Sequence, residues 1–315
     1  MKINYIILST FVSFSAWAQQ NPIVSDSITN QELKEVVIST TNKFNSAISK
    51  PLGSVDEYLQ QANTVTMVRR GGYASEPFIN GMATDRSVIT IDGMRIYAAC
   101  TDKMDPVTSY VETSNLQKAT FASGQAASST GATVAGGINL VRAKGTFGPK
   151  ALNGSAFAGF ETNNKQRIFG GSLHYSAPKF YIDVDATYRK AANYKAGENE
   201  EVLYSQFQKV NTATTFGYKL TDHKQLEASF IYDHASNVGY PALPMDVLYA
   251  KAYIGSLAYK QHHISDVFQH WETKIYYNNV THVMDDSKRP DVPIRMDMPG
   301  WSRTTGGYST LTGSG

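Results

Sequence analysis

The chain has 315 residues, of which 42% are hydrophobic, 18% charged and 11% aromatic, and its net charge is +2. Charge below the roughly 25% of an ordinary soluble domain, combined with abundant aromatics, excludes a disordered chain, and so small a net charge gives no reason to expect a nucleic-acid partner. Beyond the amino-terminal segment no apolar run approaches the ~18 residues of a spanning helix, which excludes a helical membrane protein and leaves a soluble β-protein or an outer-membrane β-barrel.

The first 18 residues read as an export signal. Lys2 supplies a positive region, Ile6 to Phe14 an apolar core, and Ala16-Trp17-Ala18 a small-x-small cleavage site, giving a mature start at Gln19. A buried amino-terminal strand is the alternative. Export draws attention to Cys100, the single cysteine. It has no intrachain partner, and a free thiol outside the cytosol is a candidate reactive group or ligand.

Residues 19–42 read as a flexible leader with one β-branched segment, Leu33-Lys34-Glu35-Val36-Val37-Ile38-Ser39. That segment is too short to bury itself and suited to pairing with a sheet edge. Residues 43–148 read as a compact α+β domain. Ser54 to Gln61 forms a short helix in this reading, and Val88–Ile91, Asp92-Gly93 and Met94–Tyr97 make a hairpin with a tight turn. Asp105-Pro106 pairs a capping residue with a first-turn proline, which predicts a helix running to about Thr113. Gly131 to Gly137 lacks the Lys-Ser/Thr of a phosphate-binding loop, so its glycines read as turns before the strand Ile138–Val141.

From residue 149 to residue 315 the pattern becomes long alternating strands. Ile182, Val184, Ala186 and Tyr188 share one face of a strand, and Asp183, Asp185, Thr187 and Arg189 the other; Leu226 to Asp233 alternates likewise. Short links at Ser176–Lys179, Thr221–Lys224 and Ile264–Val267 alternate with longer ones at Asn193–Gln208, Asn237–Leu248 and Met284–Gly307. Alternating strands with short turns at one end and long loops at the other suit a transmembrane barrel wall, with a β-sandwich as the alternative.

In this order, the leader segment LKEVVIS, then RRGGYASEPFINGM, VITIDGMRI and GATVAGGINLVRAK, then the alternating strands, resemble a TonB-dependent outer-membrane receptor. The resemblance implies that Leu33, Lys34, Glu35, Val36, Val37, Ile38 and Ser39 are a TonB box. It makes the α+β domain the plug and the strands the first part of an antiparallel transmembrane β-barrel. It further implies an outer-membrane location, with TonB and its inner-membrane complex, and outer-membrane lipid, as partners. Such a barrel has about 22 strands and needs on the order of 400 residues. Only about 165 residues follow the plug, so the chain is expected to be the amino-terminal portion of a longer protein.

Two sulfur-bearing clusters stand out. Cys100 and Met104 lie four positions apart after the hairpin, and His282 and Met284 two apart on a strand. His282 and Met284 share the parity of Glu272 and Lys274, which points them into the lumen near the long-loop end. Three sulfurs and an imidazole are a soft donor set, and softness selects copper, Cu(I) especially, over hard cations and ferric iron. The pairing of Cys-x-x-x-Met in the plug with His-x-Met in the barrel is similar to the copper receptors of the OprC and NosA type. That similarity implies Cys100, Met104, His282 and Met284 as ligands of a transported copper ion.

The bland readings are a buried cysteine acting as a small hydrophobe, gap-filling methionines and a solvated histidine. Met245 and Met296-Asp297-Met298 fall in expected outer loops, either as filler or as an outer shell of donors. His262-His263 reads as solvated at a short turn, Asp285-Asp286 as a possible attractor of cations, and Arg69-Arg70 as plug packing. No nucleophile–base arrangement stands out, so an enzyme is not expected. A receptor for a siderophore or other chelate, and a non-transporting surface receptor or adhesin, are the rival functions.

Overall fold

The structure, a computed structural model, describes residues 36–39, 54–72, 74–124, 131, 133–290, 292 and 295–313. The expected export signal, Leu33, Lys34, Glu35 and the rest of the leader apart from Val36–Ser39 lie outside the described residues.

The amino-terminal domain is built on a five-stranded sheet in the order β1-β6-β7-β4-β5, from β1 (Val36–Ser39), β4 (Ser87–Ile91), β5 (Met94–Arg95), β6 (Leu116–Ser123) and β7 (Gly136–Arg142). Neighbours are antiparallel except β4 and β7, which run parallel. A separate hairpin joins β2 (Val65–Arg69) to β3 (Ser75–Ile79). Val36–Ser39, the described part of the leader segment, pairs with the β6 edge from Val36↔Phe121 to Ser39↔Lys118. The short helix α1 (Val55–Leu59) starts where Ser54 Oγ accepts the Glu57 amide at 3.3 Å. That bond satisfies one of the amides a helix start leaves unpaired. Val55, Tyr58 and Leu59 then turn one apolar face into the core.

The Asp92-Gly93 turn forms as expected, with φ of +51° and +77° at its two central residues. Both values are positive, as a two-residue hairpin requires, and Gly93 adopts its value without a Cβ penalty. The helix expected from Asp105 to Thr113 is not there. Only a 3₁₀ turn, Val107–Tyr110, follows Pro106. β-branched Val107, Thr108, Val111 and Thr113 disfavour continuation, and Asn115 Oδ1 draws in the Glu112 amide at 3.2 Å.

Eight strands follow in sequence order as one antiparallel sheet: β8 (Ala151–Glu161), β9 (Gln166–Ser176), β10 (Phe180–Ala191), β11 (Phe207–Thr221), β12 (Lys224–Val238), β13 (Asp246–His262), β14 (Phe268–Asp285) and β15 (Asp297–Gly313). Links at one end span residues 177–179, 222–223 and 263–267; those at the other span 162–165, 192–206, 239–245 and 286–296. The alternation of link length therefore holds except at the first outer link. The loop expected over Met284–Gly307 is shorter, because β14 runs to Asp285 and β15 pairs with it from Asp297.

Two-residue alternation sets the faces. Val184, Phe216, Phe230, Leu257, Ile275 and Trp301 are exposed on the outer face, while Asp183, Thr187, Arg189, Asn211, Asp233 and Asn278 are buried. An apolar outer band with polar residues inside is what a wall between lipid and a filled lumen requires. The plug core of Leu59, Ile91, Met94, Leu116, Ile138 and Leu140 merges with Ala213, Ile231, Ala252, Ile254 and Val280 from the wall.

Ion pairs stitch plug to wall. Glu112 lies 2.9 Å from Arg189 and 2.7 Å from Lys209. Lys144 reaches Glu227 at 2.6 Å, and Lys274 Nζ donates to the Asp92 carbonyl at 2.8 Å. Buried charges persist only when paired and hydrogen-bonded, so this seam fixes how the plug sits.

Candidate metal centre

A tight turn presents the plug half of the site. The Lys103 amide donates to the Cys100 carbonyl at 3.3 Å, and Lys103 sits at φ +53°. Lys103 Nζ is anchored on Asp85 at 2.8 Å. The chain thus reverses over four residues, and Cys100 and Met104 join one buried cluster with Met284, Met245 and Tyr240.

The wall half comes from β14. Its even-numbered residues Lys274, Asn278, Val280, His282 and Met284 are all buried, as the parity predicted. His282 Nε2 lies 3.3 Å from Met284 Sδ. Opposite His282 on β15 stands Gly300. A Cβ at Gly300 would lie 2.7 Å from the Ala99 carbonyl oxygen, so glycine there lets the plug backbone next to Cys100 lie against the wall.

The structure brings plug and wall together at this point. Donor atoms of Cys100, Asp105 and His282 lie within 4.8 Å of one another, and all three residues are buried. Cys100, Met104, Asp105, His282 and Met284 are each 5% exposed or less. Asp105 Oδ1 is 3.2 Å from His282 Nδ1. The contact is misaligned for a hydrogen bond, leaving both atoms buried without a hydrogen-bond partner. Buried polar atoms without partners are costly, and an imidazole, a carboxylate and a thiol facing one another are chemically suited to a cation.

Asp105 was read from sequence only as a helix cap. Its other oxygen accepts from Tyr110 Oη at 3.2 Å, which holds the carboxylate toward His282. Tyr240, in the link from β12 to β13, was not singled out either. Its hydroxyl donates to the Met104 carbonyl at 2.6 Å and ties that link to the plug turn. Burial, then the nearby Asp105 and Cys100, push the Tyr240 hydroxyl well above its ordinary value, so it stays a donor. No local sequence pattern marks either role, because each depends on contacts across the fold.

The remaining candidates fall elsewhere. Met245 is buried in the same cluster rather than displayed on a loop. Met296 and Met298 are exposed, with Met298 opposite Met284 in register. Asp286 is not a free acid, because it is buried and accepts the Met296 amide at 2.8 Å. Arg70 pairs with Glu76 at 3.0 Å inside the plug.

The TonB-dependent Receptor Plug Domain family matches residues 23–138. No curated protein sequence matches the chain. Among solved structures, the copper transporter OprC is similar at TM-score 0.77 and 23% identity, over 89% of this chain and 43% of that one. A ferric enterobactin receptor (PfeA) mutant from Pseudomonas aeruginosa is similar at TM-score 0.66 and 11% identity, over 90% and 47%. The siderophore receptor PirA from Acinetobacter baumannii is similar at TM-score 0.64 and 12% identity, over 89% and 44%. The chain therefore spans less than half the length of these structures. The plug-domain match covers the amino-terminal domain, and the chain as described shares with these structures the fold of a plug seated on an antiparallel wall.

Proposed function

We propose that this chain belongs to an outer-membrane importer of copper, which it binds through Cys100, Met104, His282 and Met284. The observation that carries the reading is the meeting of a plug thiol and a wall imidazole at one buried point, with a thioether 3.3 Å from that imidazole. Thiolate and thioether donors favour Cu(I). The name of the structural neighbour OprC agrees with copper, whereas the siderophore and enterobactin receptors among the neighbours keep a chelate receptor as the rival. A chelate the size of a siderophore needs an open cavity, and these residues are packed and buried.

In this reading the donor set is divided between two bodies. Cys100 and Met104 ride on the plug, and His282 and Met284 are fixed in β14. TonB, pulling on Leu33–Ser39, would load β6 through the four register pairs of β1. Displacement of the plug then removes two ligands from the ion, and the loss of differential binding releases it. Asp105 is a positioning residue: it faces Nδ1 of His282, leaving Nε2 on the side of Met284.

Metal analysis of the purified full-length protein tests the assignment. Wild type is expected to retain one copper per chain, and Cys100→Ala and Met104→Ala to lose it while remaining folded. Stoichiometric copper in the Cys100→Ala, Met104→Ala double variant loaded with Cu(I) as its sole metal would overturn the site. Copper uptake that persists when Leu33–Ser39 is deleted would overturn energised import.

A further inference from the structure

Four of the seven histidines gather far from the sulfur cluster, at the short-link end of the sheet. His262 ends β13 and His270 is the third residue of β14, and the two are direct register partners. Their rings lie 4.7 Å apart between centroids, and the two Nδ1 atoms are 3.2 Å apart. His223 and His263 meet edge to face at 5.4 Å. The His262 amide donates to the His223 carbonyl at 2.8 Å, which ties the two turns together.

We infer that the His262–His270 pair is a second transition-metal site, taking a borderline divalent ion such as Cu²⁺ through two imidazole nitrogens. A metal–imidazole bond is about 2.0–2.1 Å, so two nitrogens bound side by side on one ion stand roughly 3 Å apart. The observed Nδ1 separation of 3.2 Å is already that spacing, set by the cross-strand register rather than by flexible loops. Neutral imidazole suits Cu²⁺ and Zn²⁺. The far nitrogen of His270 lies 3.9 Å from Glu272 Oε2, a carboxylate on the side where an outer partner favours metal at Nδ1. Lys260 does not compete by repulsion alone, because its ammonium is held on Glu227 at 2.7 Å.

The site is independent of the sulfur cluster. His270 and His282 are twelve residues apart on one strand, about 40 Å at the usual rise. In the copper reading this is the end at which an ion would leave the lumen.

The test uses full-length protein carrying Cys100→Ala, so that the sulfur site does not contribute, and Cu²⁺ alone as the probe. Equilibrium dialysis and electron paramagnetic resonance are expected to show one bound Cu²⁺ with nitrogen hyperfine structure from two imidazoles. Either His262→Gln or His270→Gln alone should remove that two-nitrogen signal, with the β-sheet circular dichroism unchanged because both rings are at the surface. His234→Gln, on the wall away from the pair, should retain it. No bound Cu²⁺ in the Cys100→Ala protein, or a two-nitrogen signal surviving in either single variant, would overturn the proposal and leave a His–His hydrogen bond.

Discussion

Single side chains decide what the buried cluster can hold. Asp105 is fully buried, steered by Tyr110 and aimed at His282. Asp105→Asn keeps the shape and removes the charge, so copper affinity should fall about 10–100-fold, the usual effect of losing a ligand's outer partner. Competition titration with a chromophoric Cu(I) chelator measures this, and an unchanged affinity would remove Asp105 from the site. Gly300 makes a different demand, since a methyl group there collides with the Ala99 carbonyl. Gly300→Ala should displace the plug turn and weaken copper binding while the strands persist, which the same titration with circular dichroism detects. Cys100, Met104, His282 and Met284, all four buried in the structure, were singled out in sequence by spacing, strand parity and the family resemblance. Asp105, Tyr240 and Gly300 were not, because a carboxylate, a hydroxyl and a glycine gain their roles from chain more than 100 residues away.

At the scale of elements, the Asp92-Gly93 turn is pinned electrostatically as well as sterically. Asp92 accepts the Arg142 amide at 2.9 Å and pairs with the Arg142 guanidinium at 2.8 Å. Burial alone would raise this carboxyl, but Arg142, Lys144 and Lys274 outweigh it and hold Asp92 well below its ordinary value of 3.8. A depressed carboxyl contributes stability above the unfolded value and loses it as pH falls toward the folded one. Amide protection in β4 and β7 should therefore decline below about pH 4 in wild type. Asp92→Asn should flatten that acid dependence and cost about 3–5 kcal/mol at neutral pH, by leaving Arg142 buried without its partner. Hydrogen exchange across that pH range checks both.

The hairpin itself was readable because Asp-Gly between β-branched runs specifies the turn. The helix expected after Asp105-Pro106 is absent, because the Asp105 carboxylate faces Tyr110 and His282 instead of capping the turn, which begins at Pro106 without a side-chain cap. The eight-stranded wall was legible from its period of two. The extent of the last outer link was not, because the pairing of Asp297–Gly300 with β14 is a tertiary choice.

For the molecule as a whole, the plug is held by a sparse set of buried ion pairs over an apolar contact. Glu112 carries two of them, to Arg189 and Lys209, and these neighbours hold its carboxyl below the ordinary range against the upward push of burial. Such a seam keeps the plug in register against the wall. Glu112→Gln should loosen the plug by about 3–5 kcal/mol, seen as faster proteolysis and amide exchange in β6 with the wall unaffected. The convergence of plug and wall on one soft donor set is the claim on which copper import rests. X-ray absorption at the copper edge of the full-length protein loaded with one equivalent of Cu(I), the ion the sulfur site favours, tests it most directly. Wild type should show a shell of sulfur scatterers with one imidazole, losing sulfur in Cys100→Ala and imidazole in His282→Ala. A shell of oxygen and nitrogen only, identical in all three proteins, would contradict it.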